Sequence, residues 1–163
     1  MTKNIGCNEV LEMALQIEQV GHDFYKTLAI HFANPALKDL YNHLAEEERK
    51  HIASFKAIRH SLAEINVADI KNWNELALYF TALLDTNVLT GLPEKNALIP
   101  ELQDEIGAIH ISISLEKDTI LFLQEMRNWV SIQDQEKINK LIEDEKNHIL
   151  LLLNMKRQIA PSQ

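Results

Sequence analysis

The chain has 163 residues, 46% hydrophobic and 25% charged, a balance that excludes wholesale disorder and predicts one globular domain over residues 1–163. A formal charge of −8 disfavours nucleic acid and anionic membranes as partners, because phosphate binding needs clustered lysine and arginine. A single cysteine, Cys7, excludes an intramolecular disulfide and a cysteine-based zinc or iron–sulfur cage within one chain.

The beginning of the chain carries no apolar run of the kind that serves as a secretory signal. No stretch of about 18 consecutive apolar residues occurs anywhere, so no membrane-spanning helix is expected. We therefore expect a cytoplasmic protein without membrane contact. Only four glycines and four prolines occur, which favours long helices over a turn-rich β fold.

The first half of the chain predicts two long helices. The first runs from about Asn8 to Ala33 with apolar residues at helical spacing. The second begins at Pro35, directly after the N-cap candidate Asn34, and runs to about Glu64. The short turn between them predicts an antiparallel hairpin.

The second half predicts another hairpin after a long connection. Residues 65–72 are polar, and residues 73–89 predict a shorter, strongly apolar helix that ends at residues 90–93. A third long helix is expected from about Pro100 to Trp129, and a fourth runs from the cap candidates Ser131 and Asp134 to about Ile159. The predicted fold is all-α: a four-helix bundle of two hairpins, with a long crossover carrying a short extra helix.

The chain also repeats itself. Residues 44–52 align with residues 141–149, with five of nine positions identical and two more keeping their charge. The offset of 97 residues also takes Asn34 to Ser131, so the two halves are built alike.

Each long helix has a largely apolar stripe that is interrupted near its middle by a glutamate, and in two helices also by a histidine three residues later. Unpaired carboxylates in a core are costly, and no lysine or arginine occupies these stripes, so a metal centre is the expected partner. The alternative is a bundle whose glutamates and histidines satisfy one another without metal. The six residues are Glu18, Glu48, His51, Glu116, Glu145 and His148.

The six residues fall at similar distances from the hairpin turns. Glu18 precedes Asn34 by 16 residues, and Glu48 follows Pro35 by 13. At about 1.5 Å per residue these positions lie roughly 24 and 20 Å from the turn. The second hairpin has nearly the same spacing, so all six side chains are expected in one layer.

This constellation resembles the rubrerythrin-like branch of the ferritin-like superfamily. The resemblance rests on residues 18–25, with Glu18 and Tyr25 at the ends, and on residues 46–51, with Glu48 and His51. It implies a ferritin-like bundle that holds two iron ions, with manganese as the alternative metal. It further implies that Glu48 and Glu145 bridge the two ions. Glu18 would then be a terminal ligand beside His51, and Glu116 one beside His148.

The sequence departs from the pattern of rubrerythrins proper at two points and from that of bacterioferritin at another. Rubrerythrins proper carry a rubredoxin domain with cysteine pairs, and residues 1–163 contain no such pair. They also use an extra carboxylate three residues after the third stripe glutamate, where Thr119 stands here. The haem-ligating methionine of bacterioferritin is replaced by Arg49, so haem is not expected.

Function follows the resemblance as an expectation: an oxidoreductase that reacts with O₂ or H₂O₂ and takes electrons from an external donor. Iron storage, or a metal-stabilised bundle without turnover, are the alternatives. We expect a homo-oligomer, most simply a dimer. His22 and Tyr25 could interact with the ligands, although core packing explains each as well. The flanking acidic residues Glu46, Glu47, Glu143 and Asp144 are expected on a solvated face.

Overall fold

The computed structural model describes residues 7–63 and 104–160, together with the single residues 75 and 78. Four α-helices cover these ranges: α1 (Cys7–His31), α2 (Pro35–Ala63), α3 (Glu105–Met126) and α4 (Ile132–Ile159). Among these residues no helix is long and apolar enough to cross a membrane. The predicted all-α four-helix bundle is confirmed.

Helix α1 packs against α2 and helix α3 against α4, and the two hairpins meet where α2 contacts α4 and α1 contacts α3. The apolar stripes face inward and form two core clusters. One contains Leu28, Tyr41 and Leu152, and the other contains Leu11 and Phe122. The polar stripe residues lie between these clusters along the bundle.

The predicted helix starts at the two hairpin turns are confirmed. The backbone N–H of Ala36 donates to Asn34 Oδ1 at 3.1 Å, which makes Asn34 the cap of α2. At the start of α4, the N–H of Asp134 donates to Ser131 Oγ at 3.2 Å, and the Ser131 hydroxyl donates to Asp134 Oδ2.

Helix α3 is shorter than the sequence predicts. It begins at Glu105 rather than near Pro100, because Asp104 has an extended backbone (φ −144°, ψ 162°) and its carboxylate accepts the N–H of Gly107 at 2.6 Å. At its other end, residues Arg127–Trp129 form a tighter 3₁₀ turn instead of a final α-helical turn.

The crossover predictions, a polar connection and a short helix over residues 73–89, lie outside the described residues except at two positions. Glu75 and Leu78 are helical and exposed.

Candidate metal centre

A layer of acidic and imidazole side chains crosses the middle of the bundle. Each of its six members is at most 3% exposed, although ionisable groups of this kind are rarely buried without partners. Each helix contributes at least one of them, and α2 and α4 each contribute a pair three residues apart, so both members of a pair share one face. The six are Glu18, Glu48, His51, Glu116, Glu145 and His148. The structure therefore brings together all six residues that the sequence singles out.

The six residues form two overlapping groups of four, in each of which the candidate ligand atoms lie within 4.8 Å of one another. Glu18 and His51 are found in the first group alone, and Glu116 and His148 in the second alone. Both groups contain Glu48 and Glu145. Each unshared glutamate therefore lies in one group with the histidine of its own hairpin, whereas each shared glutamate also belongs to the group of the opposite hairpin. The sequence alone leaves this pairing open.

The first group is arranged around the Nδ1 atom of His51. Glu145 Oε1 lies 3.0 Å from it and Glu18 Oε2 lies 3.2 Å from it. Glu48 Oε2 follows at 3.5 Å. One nitrogen and three carboxylate oxygens thus converge in a buried space.

The second group repeats this arrangement around His148 Nδ1. Glu145 Oε2 is 2.8 Å away, Glu116 Oε1 3.5 Å and Glu48 Oε1 3.6 Å. Glu145 and Glu48 each direct one oxygen to either histidine. A carboxylate divided in this way has the arrangement needed to bridge two cations.

These close contacts leave buried polar atoms without hydrogen bonds. Both oxygens of Glu145 and the Nδ1 of His148 have no hydrogen-bond partner, although they lie within 3.0 Å of a nitrogen or an oxygen. The atoms therefore face a shared space rather than one another. Since unsatisfied buried polar groups are costly, this donor set fits a cation at each group.

The electrostatics of the layer indicate strong mutual repulsion among the carboxylates. Burial, and then the charge of Glu48, raises the pKa of Glu18 well above its ordinary value. Burial and the nearby Glu145 raise the pKa of Glu116 to about 7. In the described part of the chain no lysine or arginine pairs with any of these carboxylates.

The pKa values of the two histidines are also raised, but against the effect of burial. Burial alone would lower the pKa of His148, but the adjacent carboxylates of Glu116 and Glu145 outweigh it and raise the pKa to about 11. The pKa of His51 is raised for the same reason, again against the effect of burial. Without a metal, the two imidazoles are therefore protonated and act as the counter-charges of the glutamates.

Tyr25 contacts the layer and His22 does not. The buried hydroxyl of Tyr25 donates a hydrogen bond to Glu116 Oε1, and its ring stacks on Tyr41 with centroids 5.9 Å apart. His22 is partly exposed, and its Nδ1 lies 3.1 Å from Asp23 Oδ1. Of the two residues proposed as neighbours of the ligands, only Tyr25 has a contact with one.

The comparisons with known proteins agree with this geometry. The family model described as rubrerythrin matches residues 9–156. The chain belongs to the rubrerythrin family. No curated protein sequence matches it.

Among solved structures, this rubrerythrin-family chain is similar to a Thermotoga maritima protein assigned to the ferritin-like diiron-carboxylate proteins. The two chains are 26% identical, and the match covers 98% of this chain and 100% of the other, with a TM-score of 0.67.

Thr119 and Gly21 each lie three residues after a glutamate of the layer. Thr119, which stands where the resemblance implies a further carboxylate, is buried, and its hydroxyl donates to the Leu115 carbonyl oxygen at 3.1 Å. Gly21 lies beside the layer on α1, and a Cβ there would stand 3.4 Å from Glu48 Cδ. A larger residue at Gly21 would therefore restrict the Glu48 carboxylate on that side.

Two acidic residues that the sequence assigns to a solvated face lie closer to the layer than expected. Asp144 Oδ2 is 3.8 Å from His51 Nε2, and Glu47 interacts electrostatically with His148. The side chains of Asp144 and Glu47 are 33% and 23% exposed. The sequence contains one signal for this proximity. The 97-residue offset relates Glu47 to Asp144, and each of them stands directly before a shared glutamate.

Proposed function

We propose that this rubrerythrin-family protein is a non-haem di-iron oxidoreductase that reduces O₂ or H₂O₂ in the bundle core. The observation that carries the proposal is the division of Glu48 and Glu145 between two groups of potential ligands. A single-metal site or a metal-free ion-pair network has no need of two such shared carboxylates.

The donor set suits iron in both charge and chemistry. The four glutamates carry four negative charges, which equal the charge of two Fe²⁺ ions. Carboxylate oxygens and imidazole nitrogens are donors that iron and manganese accept, whereas the thiolates preferred by softer metals are absent from this set. The metal would take the place of the two protons that the histidines otherwise carry.

Iron held by the six ligands would supply two electrons per pair of ferrous ions, which together with two protons would convert H₂O₂ into two molecules of water. The chain's own residues exclude bulk water, since Tyr25 and the six ligands are almost fully buried. The Tyr25 hydroxyl holds a proton at Glu116 Oε1, beside the reacting centre. Return to the ferrous state requires an external electron donor, which is the partner we propose.

Iron storage is the second candidate, because Thr119 leaves the site with the six-ligand set that resembles bacterioferritin. The two candidates differ in assembly. A dimer in size-exclusion chromatography with light scattering supports the oxidoreductase, and a closed cage of many subunits supports storage. We propose the dimer.

The test is anaerobic titration with Fe²⁺ followed by a stoichiometric pulse of H₂O₂. We expect two iron ions per chain and complete oxidation of both within the pulse, read from the near-ultraviolet absorption of ferric iron. Glu145→Gln should abolish both the binding of two ions and their oxidation. Glu143→Gln is the matched control, because Glu143 lies on the same helix and its side chain is 67% exposed. Binding of two ions without oxidation would contradict the proposed oxidoreductase and support a metal-stabilised bundle without turnover. One ion per chain would contradict the dinuclear site.

A further inference from the structure

The imidazole of His51 presents one nitrogen to the carboxylates of the layer, and its other nitrogen is buried without a hydrogen bond. Its Nδ1 atom lies in the first ligand group, whereas Nε2 makes no hydrogen bond. If Nδ1 binds a metal, the ring proton must reside on Nε2, which is then a buried donor. Metal-bound histidines almost always donate this proton to a carboxylate, a carbonyl oxygen or water.

The carboxylate closest to this nitrogen belongs to the opposite hairpin. Asp144 Oδ2 is 3.8 Å from His51 Nε2, and Asp144 precedes the shared ligand Glu145 on α4. A shift of about 1 Å brings the two atoms to the usual hydrogen-bond distance. The Asp144 side chain is 33% exposed, so it has room to make this movement.

Comparison of the two halves shows why Asp144 is available for this role. Its counterpart Glu47 is already held by Lys50, whose Nζ lies 2.5 Å from Glu47 Oε1. The residue that corresponds to Lys50 in the second half is Asn147, which carries no charge. Within the described residues, the ion pair of Asp144 is the one with His51.

The neighbouring surface ion pair is kept in both halves, which makes the difference at Asn147 local. Arg49 Nε lies 2.9 Å from Glu46 Oε2, and the corresponding Lys146 Nζ lies 2.6 Å from Glu143 Oε1. The two halves therefore share one i,i+3 pair and differ in the other.

We propose that Asp144 is a positioning residue that accepts the Nε2–H of His51 and so orients Nδ1 toward the metal of the first ligand group. The inference rests on the proposed metal site and adds an asymmetry to it. Loss of such a partner lowers metal affinity about 10- to 100-fold in comparable sites. We expect about tenfold weaker binding at one of the two groups, since Glu48 and Glu145 still hold the ion there.

The experiment is a titration with Co²⁺, which reports binding by its absorption and does not react with O₂ on the time scale of the titration. Asp144→Ala should bind one of its two Co²⁺ ions about tenfold more weakly than the wild type. Asp144→Glu should restore most of the affinity. Asn147→Lys leaves Asp144 in place but gives it a lysine three residues away, and should weaken the same ion. Glu143→Ala is the control and should change neither affinity appreciably.

A second readout separates positioning from a general structural effect. In ¹⁵N-histidine-labelled, Co²⁺-loaded protein, the ring N–H of His51 should exchange with water faster in Asp144→Ala than in the wild type, while that of His148 keeps its rate. Unchanged affinity and unchanged His51 exchange would overturn the inference while leaving the dinuclear site intact. Equal weakening of both ions with a lowered melting temperature of metal-free protein would assign Asp144 a structural role instead. A wild type that binds no Co²⁺ would overturn the proposed function, and this inference with it.

Discussion

The four buried glutamates are alike in burial but not in how their oxygens are used. Glu48 and Glu145 divide their two oxygens between His51 and His148. Glu18 and Glu116 each lie in one group alone. Equivalent substitutions at these positions should therefore have unequal effects.

We predict that Glu48→Ala and Glu145→Ala each reduce metal content at both groups, whereas Glu18→Ala weakens mainly one. The reason is that each shared carboxylate supplies an oxygen to both groups. Elemental analysis after anaerobic reconstitution measures the result, expected near one ion per chain for Glu18→Ala and well below that for the other two. Equal and mild losses in all three variants would show that the bridging roles are wrongly assigned.

The two stacked tyrosines give a second prediction at this scale. Tyr25 donates to the buried Glu116, so Tyr25→Phe should destabilise the metal-free protein by about 1–3 kcal/mol through the loss of this charge-assisted bond. Tyr41 is the comparison, because its buried hydroxyl interacts with the neutral Ser112 rather than with a glutamate of the layer, and Tyr41→Phe should cost less than Tyr25→Phe. Urea unfolding measures both. A larger loss in Tyr41→Phe than in Tyr25→Phe would contradict the prediction.

The four helices follow from local signals in the sequence. Stripe periodicity places the long helices, and the caps Asn34 and Ser131 mark two of their starts. The cap at Asp104 is missed because Pro100, a residue type favoured at the first position of a helix, indicates an earlier start. The position of Asp144 near His51 could not be predicted either, since it depends on how two hairpins approach each other across the bundle.

Removal of the N-cap side chains of α2 and α3 should lower the free energy of unfolding. Asp104→Ala removes the acceptor of the Gly107 N–H, and should cost about 0.5–2 kcal/mol of unfolding free energy. Asn34→Ala should cost a similar amount at the start of α2. Thermal or urea unfolding of metal-free protein measures both changes, with Asp104→Asn as the control that keeps a capping oxygen. No loss for Asp104→Ala would place the start of α3 elsewhere.

At the scale of the whole molecule, the buried layer makes stability depend on both pH and metal. In metal-free protein the folded state holds protons that the unfolded chain releases, since the pKa is about 7 for Glu116 and about 11 for His148. Between the unfolded values of about 4.3 and 6.5 and these folded values, unfolding releases protons, so stability falls as pH rises. Metal binds the deprotonated side chains, so the stability that bound metal adds grows as pH rises.

We therefore predict that the melting-temperature gap between metal-loaded and chelator-treated protein is wide at pH 8 and narrow at pH 5. Metal-free protein alone should melt at a lower temperature at pH 8 than at pH 5, as far as Glu116 and His148 determine it. Paired thermal melts at the two values provide the measurement, with Glu48→Ala as the variant in which metal should shift the melt much less. A gap that does not change with pH would mean that protons and metal do not compete for the layer.

The pairing of ligands within and across hairpins also bears on how such a chain could arise. Each hairpin supplies one histidine, one unshared glutamate and one shared glutamate, so each half of the chain carries three members of one group and one member of the other. A single hairpin is thus an incomplete binder that becomes complete only against a second hairpin of the same kind. The 97-residue repeat is what a gene duplication would leave if the ancestral peptide had closed its site as a symmetric pair. Asp144 and Glu47, which no longer have equivalent neighbours, would then mark where the two copies have begun to diverge.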